Sequence, residues 1–212
     1  QCIATESGET IDYDKLLLAT GGRPRKLDLP GSDLAGIHYL RTIADVDAIR
    51  AEFGTGKKLV IVGGGYIGLE VASVGIQAGL DVHVLEMEER ILQRVTTPEM
   101  SAYYHSLHEG RGVHIHTSTL VSGFAGEDSL QAVQCGDQEF PADIAVVGIG
   151  IVPNVEVAEA AGLECDNGIV VDDHCATSAP NVYAAGDCTN HPNALLDRRL
   201  RLESVPNAME QA

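Results

Sequence analysis

Basic residues are scarce in this chain, which has 14 Lys and Arg against 31 Asp and Glu in 212 residues and a net charge of -17. Such an acidic balance disfavours nucleic acid as a partner. The chain also lacks any apolar run near the roughly 18–20 residues that a membrane-spanning helix needs, and its start has no signal-peptide pattern. These absences favour a cytoplasmic protein with no membrane partner.

Closely spaced cysteines are missing too. The five cysteines, at positions 2, 135, 165, 175 and 188, are odd in number, and no two have the spacing of a zinc knuckle or a redox pair. They are predicted to be free thiols in a reducing compartment. His114 and His116 share one face of a predicted strand, but no third ligand lies at usable spacing. The sequence therefore favours a solvated face there and predicts no metal site.

The middle of the chain carries a glycine-rich run between a strand pattern, 57–62, and a helix pattern that ends near Gly79. The predicted apolar stripe of that helix is Ile67, Val71, Val74 and Ala78. A second strand pattern covers 81–86. This βαβ order is the context in which a G-x-G-x-x-G motif binds a dinucleotide.

Each glycine of the motif has a predicted role. Gly63 permits the tight turn after the strand, and Gly65 lets the backbone approach a pyrophosphate. Gly68 lets the helix pack close to the sheet. The helix N-terminus, at Tyr66 and Ile67, presents N–H groups and a partial positive charge to phosphates. The sequence therefore predicts an NAD-binding turn.

Glu86 favours NADH over NADPH as the ligand. It lies 23 residues after Gly63, close to the usual offset of about 20, where a carboxylate accepts hydrogen bonds from the adenine ribose. Its charge repels a 2′-phosphate, Glu88 and Glu89 add to that repulsion, and Arg90 is the only nearby cation. The role of Glu70, in the helix, has two open interpretations. Its carboxylate either complements the helix dipole or contacts the nicotinamide.

Other patterns complete an α/β fold class. We expect a hairpin turning at Ser7-Gly8, a strand over 13–19 that is buried on both faces, and a helix over 43–53 with an apolar face of Ile43, Val46 and Ile49. A further helix is predicted to begin with a capping box from Thr96 to Glu99. Residues 113–140 have the pattern of an antiparallel meander, and 143–150 that of a buried strand.

Several motifs in order resemble those of the FAD-dependent pyridine nucleotide-disulfide oxidoreductases. They are Tyr13 to Gly21, Gly63 to Glu70, Val147 to Gly150 and Tyr183 to Asp187. Tyr39 to Thr42 and the ending Arg201 to Ala212 are similar to the ferredoxin reductase branch, of putidaredoxin reductase type. The resemblance covers essentially the whole chain.

This resemblance implies roles for residues outside the glycine motif. Thr20, Gly21, Gly186 and Asp187 are expected to face FAD, with Asp187 on the ribityl chain. The helix after Ser204, which starts at Val205, is expected to point its N-terminus at the flavin. Glu70 is expected to border the nicotinamide, and Gly150 to lie along the NAD cleft.

The resemblance also implies a domain arrangement. A Rossmann-like NAD-binding domain, 23–146, with a parallel sheet and a meander, is inserted in a partial FAD-binding domain formed by 1–22 and 147–212. The family's N-terminal FAD fingerprint and its C-terminal domain have no counterpart here. The sequence is therefore interpreted as a fragment that holds FAD poorly.

The implied function is an NADH-dependent flavoprotein reductase that passes electrons from NADH through FAD to a ferredoxin of an oxygenase system. Hydride transfer between two cofactors needs no general acid or base, so no catalytic side chain is assigned. One alternative changes the acceptor to rubredoxin, a nitrite reductase centre, oxygen or a disulfide. Another is a non-enzymatic NAD-binding signalling module. The sequence leaves the acceptor and the oligomeric state open.

Overall fold

The computed structural model describes residues 2–212. The strands are β1 (Cys2–Ala4), β2 (Thr10–Asp12), β3 (Leu16–Leu18), β4 (Gly22–Pro24), β5 (Ile37–Tyr39), β6 (Lys58–Val62), β7 (Asp81–Leu85), β8 (His114–His116), β9 (Gly123–Gly126), β10 (Leu130–Cys135), β11 (Gln138–Pro141), β12 (Ile144–Val147), β13 (Ile151–Pro153), β14 (Ile169–Val170), β15 (Val182–Ala184), β16 (Thr189–Asn193) and β17 (Arg198–Leu200). The helices are α1 (Ile43–Glu52), α2 (Tyr66–Gln77), α3 (Pro98–Glu109), α4 (Glu156–Ala160) and α5 (Val205–Gln211). Within residues 2–212, none of these helices has the length and apolar character needed to cross a bilayer.

The chain folds as two compact units. One comprises 24–150, and the other combines 1–23 with 151–212. The structure therefore keeps all of 147–150 with the first unit, together with β12. The assignment of the units to NAD and FAD stays a prediction.

The 24–150 unit is built on a five-stranded parallel sheet in the order β5-β12-β6-β7-β8. The chain passes from β6 through α2 to β7 on one side, while β12 lies on the other side of β6. The strand order therefore reverses at β6, and ligands of open α/β sheets bind beyond the carboxyl ends of the strands at such a point. The predicted α/β class is confirmed.

β6 is apolar and buried from Leu59 to Val62, as expected for a strand of a sheet whose two faces are both covered. Leu59 and Ile61 are buried in a cluster with residues of α1 and α2. Val60 and Val62 point to the opposite face, where they pack with β9 and β10 of the meander. A strand buried on both faces has no polar alternation, which explains the continuous apolar run in the sequence.

Helix α2 buries a different face from the predicted stripe, and three of the residues on that face are small. Its buried residues are Gly68, Leu69, Val71, Ala72 and Gly75. Ile67 and Val74 are exposed, so the stripe is wrong except for Val71. A Cβ at Gly75 would lie 2.8 Å from Leu59 Cδ2, which shows how close the helix approaches the strand. The predicted end of the helix is confirmed, since Gly79 follows the Ala78 C-cap with a φ of +80°.

The antiparallel meander is confirmed, but it is shorter than predicted. It consists of β9, β10 and β11. Strand β8 instead pairs in parallel with β7, with His114 opposite His83 and His116 opposite Leu85. The alternation over 113–117 was correctly identified as a strand, but it belongs to the edge of the parallel sheet.

Two helix predictions need correction. In α1 only Ile49 is buried, whereas Ile43 is 81% exposed, so the apolar face is narrower than expected. The N-cap of α3 is Thr97, whose hydroxyl accepts from the Met100 N–H. The capping box from Thr96 is therefore wrong, because helix entry at Pro98 places the cap one residue later.

The second unit contains the parallel pair β3 and β15 and the antiparallel hairpin of β1 and β2. The predicted hairpin is confirmed. The strand predicted over 13–19 is only three residues long, and Leu17 is 53% exposed. Burial on both faces is therefore wrong for this strand, which has a single pairing partner among residues 2–212.

The beginning and end of the 24–150 unit lie side by side. The Arg25 N–H donates to the Gly150 carbonyl oxygen at 2.9 Å. The chain therefore enters and leaves this unit at one place.

Candidate dinucleotide-binding site

The turn after β6 has the backbone conformation that the glycine motif predicts. Gly63 has a φ of +106°, and a Cβ there would lie 2.5 Å from the Gly148 carbonyl oxygen. Both the dihedral angle and the close approach require glycine. Gly148, directly after β12, was not selected from the sequence as a site residue, and its part in this turn follows from the neighbouring position of β12 and β6.

The other two motif glycines differ in their surroundings. A Cβ at Gly68 would lie 2.1 Å from the Gly63 carbonyl oxygen, so this glycine holds α2 against the turn. A Cβ at Gly65 would meet no atom within 4 Å. The protein itself therefore places no steric demand at Gly65, and the space beside its backbone is open to a ligand.

The first turn of α2 is suited to an anion. Gly65 is the N-cap and supplies no side-chain hydrogen bond, and the first turn contains no acidic residue. Tyr66 and Ile67 are exposed. N–H groups at a helix N-terminus without a capping side chain bind phosphate oxygens well.

Glu70 lies in the second turn of α2, beyond the first turn in which an acid complements the dipole most strongly. It is exposed and lines a cavity of about 280 Å³ with Tyr66 and Ser73 of the same helix and Tyr104 of α3. This position weakens the dipole interpretation. A contact from Glu70 to the nicotinamide stays a prediction.

Glu86 directly follows β7 and is held by two backbone N–H groups. Its Oε2 accepts from Gly64 at 2.6 Å, and its Oε1 accepts from Glu88 at 2.9 Å. Each carboxylate oxygen has a second lone pair, so the side chain is oriented without being saturated. Gly64 was not selected from the sequence either, although a run of three consecutive glycines, 63–65, was a signal for a further backbone contact.

Arg90 is directed into its own loop. Its guanidinium donates to the carbonyl oxygens of Thr96 at 3.1 Å and Gln93 at 3.0 Å. Glu88 accepts from the side-chain amide of Gln93 at 3.0 Å. Arg90, the cation that the sequence offered as a partner for a 2′-phosphate, is thus engaged with backbone carbonyls, and Glu88 and Glu89 directly precede it in the chain.

Gly150 is exposed, three residues after β12 ends. The hydrogen bonding between β12 and β6 extends one residue beyond β12, since the Gly148 N–H donates to the Val62 carbonyl oxygen at 2.8 Å. The segment 148–150 therefore leaves the sheet at the same edge as the glycine turn. The structure brings Gly63, Gly65, Glu86 and Gly150 to one edge of one sheet.

In the other unit, Thr20 and Gly21 are tied to Asn154. The Thr20 hydroxyl donates to the Asn154 carbonyl at 2.6 Å, and the Asn154 N–H donates to the Gly21 carbonyl at 2.9 Å. The Asn154 amide also donates to the Thr20 carbonyl at 2.9 Å. Thr20 thus has a structural partner for its hydroxyl proton, which leaves its oxygen as an acceptor for a ligand.

Gly186, Asp187 and Val205 lie in the same unit as Thr20. The Gly186 N–H donates to the side-chain oxygen of Gln211 at 2.7 Å, which joins the end of α5 to the turn after β15. Asp187 is partly buried, and Val205 at the start of α5 is exposed. The predicted start of this helix is confirmed, with Ser204 as its N-cap. The roles of these residues toward FAD stay predictions.

The structure shows which residues lie beside the histidines on β8. Because β8 lies beside β7, Asp81 and His83 come close to His114, and these three groups form one of the sets of possible metal ligands among residues 2–212. His116 is outside this set, because its Nε2 lies 3.0 Å from Nδ1 of His83. The pairing of β7 with β8 could not be derived from the spacing along the chain, and the sequence prediction of no metal site at His114 and His116 stays a prediction. Burial lowers the pKa of His83 and of His116.

Comparisons with known proteins show what this chain is similar to. A family model described as pyridine nucleotide-disulphide oxidoreductase matches residues 1–212. Putidaredoxin reductase of Pseudomonas putida is 46% identical over 219 residues, which cover 100% of this chain and 52% of that protein. The ferredoxin–NAD(+) reductase component of the anthranilate 1,2-dioxygenase system of Burkholderia cepacia is 44% identical over 214 residues, with coverage of 100% and 52%.

Among solved structures, the covalent complex of putidaredoxin reductase with putidaredoxin matches with a TM-score of 0.95 and 46% identity. The match covers 100% of this chain and 52% of that one. The chain thus spans about half the length of the curated relatives it matches.

Proposed function

This chain belongs to the pyridine nucleotide-disulphide oxidoreductase family, and we propose that it serves in an NADH-dependent flavoprotein reductase. In this proposal electrons pass from NADH through FAD to a ferredoxin-type iron–sulfur protein of an oxygenase system. The names of the relatives support the acceptor, since one is a putidaredoxin reductase and another is the ferredoxin reductase component of a dioxygenase. The observation that carries the proposal is the glycine turn with Glu86 beside it.

The NAD site is proposed at the edge of the 24–150 unit. The pyrophosphate lies at the N-terminus of α2, where Gly65 leaves room for it and the N–H groups of Tyr66 and Ile67 donate to its oxygens. Glu86 accepts from the adenine-ribose hydroxyls through its remaining lone pairs. Glu70 and Gly150 are assigned to the nicotinamide end of the cleft by the family resemblance.

The same site is proposed to reject NADPH. A 2′-phosphate would approach the carboxylate of Glu86, with Glu88 and Glu89 close along the chain. Arg90 is occupied by two loop carbonyls, so accommodating the phosphate would require breaking those bonds. We therefore expect a clear preference for NADH.

Thr20, Gly21, Gly186, Asp187 and Val205 are proposed to contact FAD. The acceptor oxygens of Thr20 and Asp187 suit the hydroxyl groups of a ribityl chain. FAD, when bound, supplies the redox chemistry by accepting a hydride from NADH and releasing electrons singly. The chain's own residues bind and orient the cofactors, and no catalytic side chain is assigned.

The cellular location is also part of the proposal. The five cysteines are free thiols, as expected, and free thiols suit a reducing compartment. We therefore place the protein in the cytoplasm.

The ribose assignment is tested by calorimetric titration of the 212-residue polypeptide with NADH and NADPH. Glu86→Gln should weaken NADH binding roughly 10- to 150-fold, since a charge-assisted hydrogen bond contributes about 1.5–3 kcal/mol. Glu89→Gln is the matched control, because Glu89 is exposed and close in sequence, and it should leave NADH affinity unchanged. Equal affinity of the unaltered protein for both nucleotides would contradict the proposed role of Glu86.

The acceptor is tested with the flavin-loaded holoenzyme. NADH-driven reduction of a panel of ferredoxins and rubredoxins should be fastest with a ferredoxin of an oxygenase system. Faster turnover with rubredoxin, a disulfide or oxygen would assign another acceptor to the same cofactors. Slow turnover with every acceptor, together with NADH-dependent dimerisation, would indicate a signalling module instead.

A further inference from the structure

Three side chains at the outer edge of the parallel sheet form a cluster separate from the nucleotide site. Asp81 and His83 share one face of β7, and His114 lies opposite His83 on β8. The Oδ1 atom of Asp81 is 3.4 Å from Nε2 of His83 and 3.7 Å from Nε2 of His114. We propose that Asp81, His83 and His114 bind a divalent transition-metal ion of the Zn²⁺ class.

The distances suit this type of ion. Metal–ligand bonds of 2.0–2.2 Å in a tetrahedral site place neighbouring ligand atoms about 3.3–3.6 Å apart. One ligand atom from each of the three residues lies within 4.8 Å of the others. The rings of His83 and His114 are stacked with centroids 4.7 Å apart, so binding requires both rings to turn until their in-plane Nε2 lone pairs converge on the ion. Two imidazoles and one carboxylate form a donor set typical of zinc and related ions, with a fourth position left for water.

The neighbouring residues orient the ligands. His83 Nδ1 lies 3.0 Å from Nε2 of His116, so His83 can donate from Nδ1 while its Nε2 lone pair faces the metal. Metal-bound histidines usually make such a second hydrogen bond, which fixes the ring and its tautomer. The ring of Phe140 packs edge-on against His116 with centroids 4.8 Å apart. This contact restricts the orientation of His116, which in turn orients His83.

The cluster is accessible to solvent. The side chain of His114 is 58% exposed and that of Asp81 is 42% exposed, while His83 is more enclosed at 25%. An ion can therefore enter from the side of His114 and Asp81. His83 provides the more rigid ligand beneath them.

The site is also distant from the proposed NAD site. Asp81 begins β7 and Glu86 follows its end, so five residues of extended chain separate them by about 16 Å. The metal cannot contact the nucleotide. Its direct effect is to join β8, the edge strand of the sheet, to β7, which stabilises the folded state because the unfolded chain does not hold the ligands together.

The test is calorimetric titration of the chelator-treated 212-residue polypeptide with ZnCl₂ at neutral pH. We expect one equivalent to bind with micromolar or tighter affinity, and His114→Ala and Asp81→Asn each to weaken it at least tenfold. The control is His174→Ala, which removes the imidazole of the exposed group Asp172, Asp173 and His174 and should leave binding unchanged. Circular dichroism confirms that each variant is folded.

Two further measurements use the same proteins. Excess Zn²⁺ should raise the thermal midpoint of the unaltered protein and not that of His114→Ala. Co²⁺ should give the strong visible absorption of a four-coordinate site, and this absorption should be lost in Asp81→Asn. Failure of the unaltered protein to bind Zn²⁺, or retention of its affinity in His114→Ala, would overturn the proposal.

Discussion

Replacing Gly65 by alanine should separate nucleotide binding from folding. Gly65 has a φ of -81°, which any residue adopts, and its added Cβ would meet no protein atom within 4 Å. The only cost to the fold is the poorer N-cap preference of alanine, less than about 1 kcal/mol. The methyl group would instead occupy the space that we assign to the pyrophosphate.

The expected loss of affinity follows from the bonds that the phosphate would lose. If the methyl group prevents one charge-assisted hydrogen bond to the first turn of α2, the cost is about 1.5–3 kcal/mol. This corresponds to roughly a 10- to 150-fold increase in the Kd for NADH. The thermal midpoint should change little, because no contact within the protein is lost.

The assay combines calorimetric titration with NADH and thermal unfolding followed by circular dichroism. Gly68→Ala gives the contrasting case, because its Cβ would lie 2.1 Å from the Gly63 carbonyl oxygen. It should lose both affinity and stability, by about 1–3 kcal/mol. Gly54→Ala is the neutral control, since its Cβ would make ordinary contact with Lys57 at 3.6 Å. NADH binding by Gly65→Ala that equals that of the unaltered protein would refute the proposed position of the pyrophosphate.

Three further predictions concern local structure. Thr97→Ala should lower the free energy of unfolding by about 1 kcal/mol in a urea titration, because the Thr97 hydroxyl caps α3, and Thr96→Ala should cost clearly less. Gln211→Ala should destabilise the protein by about 1–3 kcal/mol in the same assay, since it leaves the buried Gly186 N–H without its acceptor. Burial lowers the pKa of His191, whose ring is hydrogen-bonded to Gln211. The unfolded state therefore binds a proton more readily, and stability should fall as the pH decreases through about 6.5. His191→Asn should reduce that pH dependence, and an unchanged dependence would contradict the assignment.

The sequence was most informative where a single local pattern determines the structure. The glycine turn, the strands around it and the end of α2 at Gly79 were all predicted, because tight turns and buried strands leave direct signals in residue type. The packing face of α2 was not predicted. Periodicity searches count large apolar residues, whereas three of the five buried residues of this helix are the small residues Gly68, Ala72 and Gly75, which such a search passes over.

The other features that the sequence did not predict depend on contacts between residues that are distant in the chain. Asp81 and His83 lie about 30 residues before His114 in the sequence, and only the parallel pairing of β7 with β8 brings them together. From the sequence, Arg90 could have offset the acidic residues that favour NADH over NADPH. Its hydrogen bonds to loop carbonyls could not be derived from its position in the chain. Leu17 was expected to be buried because the apolar run around it is typical of a central strand. Its burial depends on how many strands pair with β3, and the local sequence does not determine that number.

The hydrogen bond between Arg25 and Gly150 has a practical consequence. Insertion into a host protein requires a module whose two ends are adjacent, so that the host loop is not spread apart. The 24–150 unit meets this requirement, since its second and last residues are joined by a backbone hydrogen bond and its sheet is covered on both faces by its own residues. Under the proposed NAD assignment, a gene segment encoding 24–150 is a candidate component for a genetically encoded nucleotide sensor, placed between two fluorescent proteins or within one.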